Sequence, residues 1–186
     1  MPVRLGVSPI GWSNDDLPEL GADTPLETCL AEAHQAGFAG IELGNKFPRN
    51  SSLLQPILER HRLSLVSGWH SGRLLDRSVD EELAAIEAHL ALLVAMRCAV
   101  LVYAETSGSI AGDRQRPLSG RPKLCDGEWR DFAGRLTELA ERLSRRGIRL
   151  AYHHHMGTVV QSEAEIDRLM AATGAHSTMP GSDTPI

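Results

Sequence analysis

Three consecutive histidines, His153, His154 and His155, follow a short apolar run in the stretch AYHHHMGT (151–158). Histidine ligates metals and changes charge near neutral pH, so the cluster offers either ligands or an acid/base. On a regular strand, side chains alternate faces. That places His153 and His155 together and turns His154 toward the packed helices, as a structural residue. Cα atoms two apart on a strand are separated by roughly 6.5–7 Å, and two imidazoles so placed can reach one ion at about 2 Å each. His153 and His155 are therefore a candidate metal half-site. A catalytic ion needs a third protein ligand and an open position. Glu42, His70 and Glu105 are the candidates for that third place. In the alternative reading, His153 and His155 bind the hydroxyls or the carbonyl of a substrate directly.

Such residues need rigid elements to hold them, and the chain supplies alternating strands and helices. Strands are predicted over 3–8, 39–44, 63–69, 98–105 and 148–154. Helices fall between them. The first follows Thr24, a predicted N-cap with Glu27 three residues on. The second starts near Ser51. The third carries an apolar stripe of Val79, Leu83, Ile86, Leu90, Leu93 and Val94, and the fourth one of Trp129, Phe132, Leu136, Leu139 and Leu143. The fifth starts at Ser162 with Glu165 three residues on, and residues 175–186 read as a disordered tail. Five βα units imply parallel strands with right-handed crossovers. An open doubly wound sheet and the first five units of a (β/α)8 barrel both fit.

In either architecture ligands bind at the carboxyl ends of the strands. Every predicted end carries polar, aromatic or ionisable groups. The first has Trp12, Asn14, Asp15 and Asp16, and the second Glu42, Asn45 and Lys46. The third has Trp69, His70 and Arg73, the fourth Glu105, Thr106 and Ser107. Glu42 and Glu105 are either acid/base groups or loop acids paired with nearby cations. Trp12 and Trp69 are either walls for the apolar face of a sugar ring or caps on the core. Asp15 and Asp16 read as solvated loop charges. The segment SGSIAG (107–112) lacks a phosphate-loop pattern and reads as a loop beside the fourth strand end.

Composition narrows the class. The 186 residues carry a net charge of −5 with no basic stripe, which argues against nucleic acid as a partner. The apolar run LALLVAM (90–96) is too short to span a bilayer. Cys29, Cys98 and Cys125 lie far apart, form neither a disulfide framework nor a zinc cluster, and suit the reducing cytoplasm. Cys29 and Cys98 read as small core residues.

Three long stretches, 6–49, YAETSGSI (103–110) and LAYHHHMGTVVQ (150–161), resemble the inosose dehydratases, a family of xylose-isomerase-like sugar-isomerase/epimerase barrels. The resemblance covers about residues 1–174. It implies a partial (β/α)8 TIM barrel holding the first five βα units. It also implies removal of water from 2-keto-myo-inositol and dependence on a divalent ion such as Mn2+ or Co2+. Three further strands would close a complete barrel, and the Asp-Thr-Gly-His-like segment of the superfamily is absent here. The chain therefore reads as C-terminally truncated, with an incomplete metal site and weak or no activity. Its open sheet edges would favour self-association or aggregation.

Dehydrating a β-hydroxy ketone requires a base, a stabilised enolate and an acid for the departing hydroxyl. Within the resemblance, Glu42, Glu105 and His155 are the candidate catalytic groups. Trp12, Asn14, Lys46, Trp69, His70 and Thr158 are the candidate substrate contacts, and His153 and His155 the candidate metal ligands. A sugar isomerase or epimerase using the same proton abstraction, and a non-catalytic α/β binding module, are the alternatives.

Overall fold

The computed structural model describes residues 3–15, 17–173 and 177–178. The elements alternate in chain order: β1 (Gly6–Val7), α1 (Leu26–Gln35), β2 (Gly40–Leu43), α2 (Ser51–Arg60), β3 (Ser64–Gly72), α3 (Val79–Ala95), β4 (Val100–Glu105), α4 (Asp126–Ser144), β5 (Arg149–Tyr152), α5 (Glu163–Ala172) and β6 (Ser177–Thr178). The chain forms two compact units. One comprises Met1–Trp69 and Ala88–Val100, the other His70–Glu87 and Leu101–Ser182.

In the first unit, β1, β2 and β3 pair in parallel in chain order. The register slips at one point: Ile41 faces Leu65, but Glu42 faces Ser67. An extra residue on one strand bends it and re-aims its neighbours. Here the slip brings Ser67 opposite Glu42. Leu30, Ile41, Leu54, Leu58, Leu90 and Leu93 are fully or almost fully buried, as is Cys29, and Cys98 is buried as well. Val94, predicted on the buried stripe of α3, is 48% exposed. The Thr24 cap does not form either: α1 begins at Leu26 with Pro25 at the cap position and no side-chain cap bond. The Thr24 carbonyl is instead held by Lys46.

In the second unit, α4 buries Trp129, Phe132, Leu136, Leu139 and Leu143, the predicted stripe. Rings run in sequence from His70 to Tyr103, Tyr152, Phe132 and Trp129, with successive centroids 5.9, 6.2, 6.1 and 6.5 Å apart. Such offset and edge contacts add to the area these rings bury. The capping box predicted at the head of α5 forms, with the Glu165 carboxylate accepting from the Ser162 N–H at 2.9 Å. Asn50 caps α2 by accepting from the Ser52 N–H.

Two sequence expectations are corrected at the chain's end. β5 stops at Tyr152, so the three histidines lie beyond it. Ser177 and Thr178, inside the segment expected to be a disordered tail, form β6 in parallel with Leu150 and Ala151 of β5. The rest of 174–186 lies outside the described residues. No helix among the described residues is long and apolar enough to cross a membrane.

Candidate active site

The strand ends and following loops of the first unit hold five predicted residues, Trp12, Asn14, Glu42, Lys46 and Trp69. Glu42 is half-buried and accepts a hydrogen bond from Ser67 Oγ at 2.6 Å, a contact that the β2–β3 register slip makes available. Lys46 reaches back to the loop before α1 and donates to the carbonyls of Gly21, Ala22 and Thr24 at 2.7, 2.9 and 2.5 Å. An ammonium has three donors, and all three serve the loop. Lys46 thus clamps the loop before α1. Asn14 Oδ1 accepts from the Leu17 N–H at 2.8 Å and shapes the turn after β1. Trp12 Nε1 donates to Glu32 Oε2 at 2.6 Å. Its ring lines a cavity of about 500 Å3 with Asn14, Leu20, Gly21, Thr28 and Glu32. Trp69 is half-buried on β3.

The second unit holds the other predicted residues. Glu105 ends β4 with no exposed surface. Its Oε2 accepts from the Leu74 N–H at 2.7 Å and Tyr103 Oη at 3.2 Å, and its Oε1 accepts from the Ser107 N–H at 3.0 Å. Burial pushes its carboxyl above the usual range, against the bonds from Ser107, Leu74 and Tyr103 that favour the charged form. Enclosed on both oxygens, Glu105 braces the turn after β3.

His70 sits near the end of β3 with its Nε2 2.8 Å from Glu82 Oε1, and the ring is 17% exposed. Glu82, in the first turn of α3, is fully buried. It also accepts from the Arg73 N–H at 3.3 Å and Arg77 Nη1 at 3.2 Å. Burial alone would raise its carboxyl. The hydrogen bond from His70, with Arg77 and the Arg73 N–H, outweighs that and holds it below the usual range. Glu82 is absent from the sequence-based candidates. Its signal was an acid on the buried stripe, three residues after Val79 and four before Ile86.

The histidine cluster does not follow strand alternation. His153 still donates its N–H to the Tyr103 carbonyl at 2.8 Å. The chain then turns: His155 N–H donates to Val160 O at 3.1 Å and Thr158 N–H to His155 O at 3.2 Å. Gly157 makes this turn with φ +81°, where an added Cβ would meet the Ala111 N at 2.7 Å. As a result His154 is exposed rather than packed against helices, and its ring stacks on His153 at 5.7 Å and 11°. His153 and His155 rings lie 5.9 Å apart, and His155 Nδ1 is 2.9 Å from the Met156 carbonyl oxygen. Thr158 is 1% exposed, and its hydroxyl bonds the His155 and Val160 carbonyl oxygens at 2.8 and 3.1 Å. It holds the turn.

The loop after β4 is pinned to this turn. The Ile110 N–H donates to Gly157 O at 3.0 Å. Arg121, 8% exposed at its side chain, donates to Thr158 O at 2.9 Å and pairs with Glu165 at 2.6 Å. Nothing in the loop's sequence marks Arg121 for this role, since a lone loop arginine has no periodicity to betray burial.

A divalent ion needs converging donors. Among the described residues no group of three or more His, Cys, Asp or Glu side chains is placed to hold one. The donors among the described residues do not fit a three-ligand metal site.

Comparison with known proteins accords with the alternating parallel architecture. The rhizopine catabolism protein MocC of Rhizobium meliloti is 49% identical over 193 residues, covering 98% of this chain and 59% of that protein. An inosose dehydratase of Geobacillus thermodenitrificans is 41% identical over 172 residues, covering 92% and 58%. This chain therefore spans somewhat under three fifths of the length of these curated relatives. Two solved structures share the fold. The probable 3-DHS dehydratase AsbF of Bacillus anthracis matches with a TM-score of 0.66 at 11% identity, over 95% of this chain and 61% of its own. A xylose isomerase-like TIM barrel protein from Mycobacterium smegmatis, in complex with magnesium, matches at 0.61 and 14%, over 94% and 63%. A family model described as xylose isomerase-like TIM barrel matches residues 30–179, most of the two units. On that match, the chain belongs to the xylose isomerase-like TIM barrel family.

Proposed function

We propose that this chain carries the ketone-binding part of a dehydratase that removes water from 2-keto-myo-inositol, giving a trihydroxycyclohexane-1,2-dione in myo-inositol catabolism. The observation that carries this reading is the 41% identity to a relative named inosose dehydratase, continuous over 92% of the chain. A role in rhizopine catabolism is the second reading, favoured by the 49% identity to MocC.

Loss of water from a β-hydroxy ketone starts with removal of the proton α to the carbonyl and ends with protonation of the leaving hydroxyl. We assign the base to Glu42, because its carboxylate is half-buried and aligned by Ser67 rather than enclosed. His70 and His155 are assigned to the substrate oxygens. Trp12 and Trp69 are assigned to the apolar face of the ring. Mn2+ or Co2+, implied by the resemblance, would need a ligand beyond His153 and His155. The three free cysteines are in keeping with a cytoplasmic setting.

Calorimetric titration of the chain with 2-keto-myo-inositol, myo-inositol and a ketohexose tests the substrate class. The reading expects the inosose to bind more tightly than the other two. Tighter binding of the ketohexose would favour a sugar isomerase or epimerase instead.

A further inference from the structure

Glu82 is a buried carboxylate with no part in the chemistry assigned so far. It lies at the head of α3, yet its Oε1 is used on β3, 2.8 Å from His70 Nε2. Its other contacts, Arg77 Nη1 at 3.2 Å and the Arg73 N–H at 3.3 Å, keep it charged and fixed. The His70 ring is held from a second side by Tyr103, 5.9 Å away and tilted by 41°. Nδ1 has no hydrogen-bond partner among the described residues, and the ring keeps 17% of its surface open.

These contacts decide where the imidazole carries its protons. A charged carboxylate acceptor at Nε2 fixes the Nε2–H form of the neutral ring. The lone pair is then on Nδ1, the nitrogen free of the buried network. A carboxylate behind an imidazole sets tautomer and direction in this way in hydrolytic triads, where it orients the ring without itself taking the proton. A single histidine at a strand end would lack this constraint and would sample both tautomers.

We infer that Glu82 is a positioning residue for His70. It holds the Nε2 proton and presents Nδ1 as the atom that exchanges a proton with a ligand oxygen. This rests on the dehydratase reading only for the identity of that oxygen. In that reaction the α-proton passes to the base and its electron pair forms the enolate. Nδ1, once it has taken up a proton from solvent through its lone pair, gives that proton to the β-hydroxyl as the C–O bond breaks with its pair on oxygen. Water leaves, the enolate pair closes the new C=C bond, the base releases the α-proton to solvent, and Nδ1 is left with its lone pair again.

The test is 15N–1H NMR of the imidazole of the whole chain, with Glu82→Met, which keeps side-chain length but removes the acceptor, and Arg77→Gln, which removes another partner of Glu82. The expected wild-type signature is a downfield, slowly exchanging Nε2–H signal from His70 with a pyridine-type Nδ1. It should survive Arg77→Gln and be lost in Glu82→Met, with both tautomers then populated. Glu82→Gln, with a neutral acceptor of the same length, should restore part of it. If Glu82→Met does not fold, the wild-type spectrum alone decides: a predominantly Nδ1–H ring overturns the inference. So does an Nε2–H signal unchanged in a folded Glu82→Met. Addition of 2-keto-myo-inositol should move the Nδ1 resonance. An intact Nε2–H signature with no response to the ketone would count against the dehydratase reading at His70 and leave the Glu82 role standing.

Discussion

The Leu74 N–H donates to Glu105 Oε2 at 2.7 Å, fastening the turn after β3 to the end of β4 with a fully buried carboxyl. Because burial raises that carboxyl in the folded chain, folding favours its protonated form. The linked stability is fully present below the unfolded carboxyl value and falls as pH rises through the folded one. Urea unfolding of wild type and Glu105→Gln across the acidic to neutral range checks this. The stability of wild type relative to the variant should decline with rising pH. An advantage that grows with pH would mean the three hydrogen bonds outweigh burial.

Gly72 and Tyr103 are packed so closely that an alanine Cβ at 72 would sit 1.8 Å from Tyr103 Cζ. Tyr103 is fully buried and cannot swing aside. Gly72→Ala should therefore destabilise by about 1–3 kcal/mol, the usual cost of overpacking. It should also displace the Tyr103 hydroxyl from Glu105, visible as an altered tyrosine signal in near-ultraviolet circular dichroism. Native stability with an unchanged spectrum would contradict the packing.

The Arg121–Glu165 pair ties the long loop after β4 to α5. Arg121, with the Ser162 and Gln161 N–H groups, overcomes burial and brings the Glu165 carboxyl from 4.5 down to about 2. A depressed carboxyl stabilises above its unfolded value and loses that contribution as pH falls through the folded one. At 1.36 kcal/mol per pH unit that net shift, which the Arg121 pair shares with the bonds from Ser162 and Gln161, corresponds to on the order of 3 kcal/mol. Glu165→Gln should show its full deficit at about pH 6, and the deficit should shrink steadily on acidification. A deficit independent of pH would assign the loss to packing instead of charge.

Lys46 separates a structural from a ligand role in one variant. Three carbonyl contacts predict that Lys46→Met lowers stability by about 1.5–3 kcal/mol, the range for hydrogen bonds from charged groups. Affinity for 2-keto-myo-inositol in the folded variant should change little. A large loss of affinity at unchanged stability would return Lys46 to the substrate.

The order of strands and helices was legible because the apolar periods of α3 and α4 are strong. The ends of elements were less so. β5 stops two residues early because a turn built on Gly157 and Thr158 begins there, and that turn undoes the alternation by which the histidines were divided. The Thr24 cap was lost because α1 begins at Leu26 with Pro25 at the cap position, and the Thr24 carbonyl is held by a lysine twenty-two residues away, a contact no local pattern encodes. Glu105 and Glu82 show the same gap from two sides. The type and place of a carboxylate were visible in the sequence, but which one is enclosed and which one orients a histidine depends on tertiary burial.

The claim that this chain belongs to a water-eliminating enzyme is tested most directly by its product. Residues 1–173 can replace the matching part of the Geobacillus thermodenitrificans inosose dehydratase, and the chimera can be given 2-keto-myo-inositol with NMR analysis of the mixture. The account predicts a trihydroxycyclohexane-1,2-dione, little or none from the 186-residue chain alone, and strongly reduced yield with Glu42→Gln or His155→Ala. An epimeric or isomeric ketone without loss of water, or full turnover in the Glu42→Gln chimera, would contradict it.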